Sequence, residues 1–134
     1  TLPARPHVPV EPLIEWDRYR WSPIEGHAPA TIARITAGRA AFGDRFVAPY
    51  YGSGSGETGR SLARPLGTVT TRDRWSLVDG DRMRMLQPSE YLGIMGFRPG
   101  YRVPAVRKDA IHLLGNAVCP PVVRDVIEAI RRAA

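Results

Sequence analysis

Apolar residues recur at helical spacing most clearly near the end of the chain. Val122, Val123, Val126, Ile127 and Ile130 fall on one side of a helix that Pro120 or Pro121 opens. Arg124, Asp125, Glu128, Arg131 and Arg132 take the other side, and the last two stand where positive charge suits the helix dipole. Such a stripe needs an apolar surface to cover it. A second helix is predicted from Val106 to Leu114, with Val106, Ala110, Leu113 and Leu114 as its apolar side and Gly115 as its stop. A third opens at Pro88, with Glu90 in its first turn and Tyr91, Leu92 and Met95 facing one way. Upstream, Pro29 to Ala37 reads as a helix with Ile32 and Ile35 inward. Arg34 and Arg39 then point to solvent or phosphate, and Gly38 ends it.

Between these helices the pattern turns β-like. Phe46 to Tyr51 reads as a short strand whose Pro49 marks an edge position or a strand end. Thr68 to Thr71 and Trp75 to Val78 are β-favouring runs separated by the turn at Arg72, Asp73 and Arg74. Arg82 to Leu86 alternates charged and apolar residues, as a strand with one wet face does, and Asp79 and Gly80 supply the turn before it. A small antiparallel sheet over about 68–86 is expected. Gly52, Gly54, Gly56 and Gly59 make a segment without the Lys of a phosphate-binding loop. It suits a mobile turn, or a loop that donates main-chain amides to a DNA backbone.

The first 27 residues carry Pro3, Pro6, Pro9, Pro12 and Pro23, which suits an extended arm laid on a partner surface, or a linker. Trp16, Tyr19 and Trp21 interleave with Arg18 and Arg20; anchoring an irregular segment to a core is the plainer reading beside base stacking. The 134 residues suffice for one domain with a modest core, and 13 Pro with 13 Gly favour loop-rich structure. Formal net charge is +6, and Lys108 is the sole lysine among 19 basic residues. Arginine suits bidentate contacts to guanine or phosphate, although a GC-rich coding background yields the same excess. Asp73, Asp79 and Asp81 fall in turns and are expected to be solvated, and Arg82 and Arg84 to meet DNA phosphate or water. His7, His27 and His112 lie far apart, so no metal centre is expected. The lone Cys119 excludes an internal disulfide. No stretch has the roughly 20 apolar residues of a membrane span. With no leader-like apolar core in the proline-rich start, the expected compartment is the cytoplasm. A start at Thr1 suits a processed or partial polypeptide.

Two blocks carry a resemblance. Arg84, Leu86, Pro88, Glu90, Gly96 and Phe97 form the first; Gly115, Asn116, Val118, Pro120 and Val123 form the second. In that order they resemble the last two motifs of DNA (cytosine-5) methyltransferases: Arg-x-Leu-Thr-Pro-Arg-Glu…Gly-Phe-Pro, then Gly-Asn-x-Val-x-Pro and a terminal helix. Thr68 and Val69 resemble the dipeptide that ends many target-recognition regions. Thr31 to Ile35, followed by Gly38, resembles the start of such a region. The resemblance extends from Trp16 onward. Gln87 stands where the family has Thr, Arg98 intrudes between Phe97 and Pro99, and Cys119 precedes Pro120.

The resemblance implies transfer of a methyl group from S-adenosylmethionine to C5 of a flipped cytosine. That chemistry needs a thiolate to attack C6, an acid to favour the N3-protonated ring and a loop to hold the cofactor. The family's Pro-Cys, Glu-Asn-Val and glycine-loop motifs do not occur in these 134 residues. Cys119 matches another motif and is read as a packing thiol, so no catalytic residue is assigned. The expectation is a C-terminal portion, or the small subunit of a split enzyme, inactive alone and partnered by double-stranded DNA and a catalytic chain carrying the Pro-Cys motif. Asn116, Ala117 and Val118 are the implied cofactor-side residues; Asn116 also suits a helix cap. Arg60, Arg64, Thr68, Val69, Arg72 and Arg74 are the DNA-side candidates, with Arg72 or Arg74 reading a base edge or merely flanking a surface turn. Arg84, Pro88, Glu90, Gly96, Phe97, Gly115 and Pro120 are the structural motif residues.

The expected fold class is α+β. It comprises an arm (1–15), a small irregular antiparallel β recognition lobe (16–82), and C-terminal motifs and helices (83–134) that complete a Rossmann-like domain supplied by another chain. A DNA-binding or regulatory chain without catalytic partner, or part of an enzyme that modifies pyrimidine C5 differently, remain open alternatives.

Overall fold

The strands richest in apolar residues are buried on both faces, and the rest of the fold follows from that. The computed structural model describes residues 1–50 and 59–134. Five strands form one sheet: β1 (Ser22–Pro23), β2 (Arg45–Pro49), β3 (Arg60–Ser61), β4 (Trp75–Asp79) and β5 (Arg82–Met85). Their spatial order is β1-β5-β4-β2-β3, with every neighbouring pair antiparallel. Phe46, Val78 and Met83 lie opposite one another across the central strands, as do Val47, Leu77 and Arg84. Side chains alternate along a strand. The first set therefore packs with Ile24, Ile35 and Ala48, and Val47 and Leu77 of the second with Leu86, Tyr91, Met95, Ile111 and Leu114 on the other side. Helix α1 (Pro29–Phe42) supplies Ile35 to the first face; α2 (Pro88–Ile94) and α3 (Arg107–Asn116) cover the second. A final helix, α4 (Pro120–Ala133), follows.

The hairpin between β4 and β5 turns at Gly80, which takes a φ of +61°. Pro49 closes β2 opposite Trp75, beyond the reach of the short β3, so its missing N–H interrupts no ladder on that side. Tyr51 and the glycine-rich segment as far as residue 58 lie outside the described residues.

Several expectations are corrected. Gly38 does not end α1; it is buried within the helix, which runs to Phe42 and stops at Gly43 with φ +82°. Thr68 to Thr71 form no strand, because their backbone is occupied by other contacts described below. The strand expected from Phe46 joins the sheet as β2, and the two-residue strands β1 and β3 are added at its edges. Gly115 lies inside α3 rather than stopping it. The buried side of α3 is Ala110, Ile111 and Leu114, while Val106 and Leu113 are exposed. Arg34 is half-buried and donates to the Pro49 carbonyl (2.8 Å), whereas Arg39 is exposed and also donates to the Gly80 carbonyl. Asp73 and Asp79 are ion-paired with arginines, at 2.5 Å from Arg107 and 2.6 Å from Arg82. Arg84 meets neither phosphate nor water; its side chain is buried.

The aromatic segment before β1 is an anchor. Trp16 and Trp21 stack at 6.1 Å, with Arg45 over the first ring and Arg82 over the second. The arm is exposed from Thr1 to His7, yet Val10 is buried, and its amide bonds to the carbonyls of Leu62 and Arg64. Arg5 holds Asp125 of α4 through two 2.5 Å hydrogen bonds. Asp125 is the buried residue of that helix; Val122, Val126, Ile127 and Ile130 stay exposed.

Candidate nucleic-acid interface

The chain from Leu62 to Arg74 has no regular structure, so its shape depends on what fastens it. Trp75, buried at the start of β4, donates its indole N–H to the carbonyl of Thr68 at 3.0 Å. Gly67 lies flat on the same ring, where a methyl group would overlap the indole. The guanidinium groups of Arg60 and Arg74 stand 5.8 and 5.9 Å from that ring. Thr70 closes the turn by donating to the Arg72 carbonyl at 2.7 Å. Asp73 pairs with Arg107 at the start of α3. The backbone of Thr70 and Thr71 presses directly on Gly115.

Fastened this way, the loop presents Arg64, Thr68 and Arg72 to the outside and keeps Arg60, Val69 and Arg74 half-buried. Arg72 is therefore the more exposed of the two arginines that flank Asp73. Arg60 and Arg64 line an open cleft of about 760 Å³ with His7, Ser61 and Leu66. Thr68 and Val69 line another of about 380 Å³ with Leu13, Met95, Ala117 and Cys119. The loop thus meets the turn after α3 in one cleft. Arg72 and Arg74 line neither.

In that turn, Asn116 and Val118 are exposed and Ala117 is half-buried. The Asn116 side-chain amide donates back to the His112 carbonyl at 3.2 Å, so it caps α3 rather than the next helix. Cys119 is the residue before α4; its carbonyl accepts the amides of Val122 and Val123, and its side chain packs on the core. The turn after α3 thus offers a small apolar edge at Ala117 and Val118 and an exposed side-chain amide at Asn116.

The first motif block is tied together at Glu90. Glu90 accepts both terminal nitrogens of Arg84, and also the amides of Gln87 (2.8 Å) and Glu15 (3.0 Å). Arg84 lies against the rings of Tyr19 and Trp21. Gln87, where the resemblance has Thr, still precedes the helix as its cap residue, with Pro88 in the first turn. Gly96, at φ +81°, has Pro121 of α4 packed where a side chain would go.

Sequence reasoning passed over Arg107, Gly67 and Glu15, and read Asp73 as solvated where it is ion-paired. One signal was available: a cation in the first turn of a helix opposes the dipole, which marks Arg107 as held by something else.

Residues 30–132 match the family of C-5 cytosine-specific DNA methylases. The chain belongs to that family. No curated protein and no solved structure matches it. Among the described residues no group of three or more His, Cys, Asp or Glu is placed to hold a metal, and no helix is long and apolar enough to cross a membrane.

Proposed function

We propose that this chain is the target-recognition and closing part of a DNA cytosine-5 methyltransferase. The nucleophile, the acid and the cofactor loop come from polypeptide outside these 134 residues. The division into a recognition lobe (16–82) and a closing segment (83–134) belongs to the same reading. The observation that carries it is the cleft shared by Thr68, Val69 and Ala117. It sets the loop that would meet the duplex beside the turn that would meet the methyl donor.

In this role Arg72 contacts a base edge, Arg64 a phosphate, and Thr68 and Val69 back the space near an extruded cytosine. Flipping a base costs a few kcal/mol, which contacts of this kind offset. S-adenosylmethionine would supply the methyl group. Asn116 offers it a hydrogen-bonding amide, and Ala117 and Val118 a small apolar edge. The exposed stripe of α4, from Val122 to Ile130, packs on the catalytic part.

The test is methyl transfer from labelled S-adenosylmethionine to mixed-sequence duplex DNA. The isolated chain gives none. Combined with the polypeptide carrying the Pro-Cys motif, it directs the label to C5 of cytosine in one sequence context. Turnover by the chain alone removes the divided-enzyme reading. A combined enzyme that methylates without any sequence preference removes the recognition role.

A further inference from the structure

Helix α3 touches the recognition turn at two separate points. At its first residue, Arg107 donates to the Leu86 carbonyl at 2.6 Å and to the Gln87 side chain at 3.2 Å, and pairs with Asp73 at 2.5 Å. Asp73 lies between Arg72 and Arg74, so the turn is held by its middle residue. Near the other end of the helix, Gly115 lies against the backbone of Thr70 and Thr71, where any added carbon would overlap main-chain atoms. Gly115 has ordinary helical conformation, so space and not backbone geometry is what requires glycine. Glycine weakens a helix interior, and here the close approach of two backbones depends on it.

The two contacts are eight positions apart, about 12 Å along a helix. Between them Ala110, Ile111 and Leu114 are buried, which fixes the helix to the core. Its last residue, Asn116, opens the turn expected to face the methyl donor.

We propose that α3 sets the geometry of the recognition turn, with Arg107 and Gly115 as positioning residues for sequence discrimination. The inference rests on the reading above that Arg72 meets a base edge. Bonding to a base edge demands a fixed direction, whereas attraction to phosphate does not. A loosened turn therefore loses preference for the cognate site and keeps its general affinity for DNA. The same rod links the turn at 70–74 to the turn at 116–118, so displacement of one end of α3 reaches the other.

The experiment measures cognate and single-mismatch duplex affinity of the combined enzyme at fixed salt. The variants are Asp73→Asn, which releases the turn and leaves the other bonds of Arg107, and Gly115→Ala, which displaces Thr70 and Thr71 without changing charge. Each is expected to lower the cognate-to-mismatch ratio by roughly tenfold, within the discrimination one arginine on guanine provides. Mismatch affinity does not fall. Asp73→Glu, which keeps the carboxylate, restores most of the ratio, and Leu113→Ala on the exposed side of α3 leaves it intact. If Gly115→Ala does not fold, Asp73→Asn decides alone. A folded Asp73→Asn enzyme with an unchanged ratio overturns the inference, as does an equal loss in Leu113→Ala. A wild-type enzyme with no cognate preference removes the recognition reading itself.

Discussion

Both carboxylate oxygens of Glu90 face the terminal nitrogens of Arg84, at 2.7 and 2.9 Å, and the two side chains are 0% and 3% exposed. The same oxygens take the amides of Gln87 and Glu15. One buried carboxylate thus joins β5, the start of α2 and the segment before β1.

Glu90→Gln is expected to destabilise the chain by about 3–5 kcal/mol, because it strands a buried guanidinium. Replacing both partners by apolar residues relieves the stranded charge but orphans the two backbone amides, so the double variant stays below wild type. Urea unfolding of the three proteins checks this order.

Asp79 gives the stability a pH dependence. Partial burial pushes its carboxyl up, but hydrogen bonds from Arg82 and Arg45 outweigh that and leave it below its ordinary value of 3.8. A depressed carboxylate stabilises the fold above its unfolded value and loses that contribution as pH falls through the folded one. Thermal unfolding between neutral and strongly acid pH is expected to show the decline, and Asp79→Asn to make it shallower.

Val126→Asp is expected to leave the isolated chain folded, since this side chain is 38% exposed. It abolishes tight assembly with the catalytic part, where burying one such side chain is worth roughly 1.5–3 kcal/mol. Arg131→Ala does little. Titration calorimetry separates them; normal assembly of Val126→Asp rules out α4 as the docking surface.

Two arginines of the loop are expected to behave differently. Arg72→Ala costs about 1–3 kcal/mol of discrimination between cognate and mismatched duplexes. Arg64→Ala weakens all duplexes alike and lowers the salt slope of binding by about one. Binding isotherms over a salt series tell the two apart.

The elements legible in the sequence are those set by periodicity: α4, the hairpin at Gly80 and the proline-opened α2. The misreadings share one cause. Gly38 and Gly115 look like helix stops because propensity is local, yet both are helix residues, and tight space against Thr70 and Thr71 is what calls for glycine at 115. Thr68 to Thr71 look like a strand because of β-branched side chains, but Thr68 is held by an indole and the next residues by a helix backbone. Arg84 looked wet because charge does not announce a buried partner six residues on. The DNA-side candidates fall in one segment; Asp73 was read as solvated and Arg107 was not singled out, yet the two pair to hold that segment.

Gly96 and Pro121 touch with no room between them. The two motif blocks, separate in sequence, therefore meet in one fitted contact. In making hybrids, exchange of 88–97 without 115–121 brings a mismatched surface to that contact, while exchange of both carries its own fit. A relative with a larger residue at the position of Gly96 is expected to have given up the proline as well.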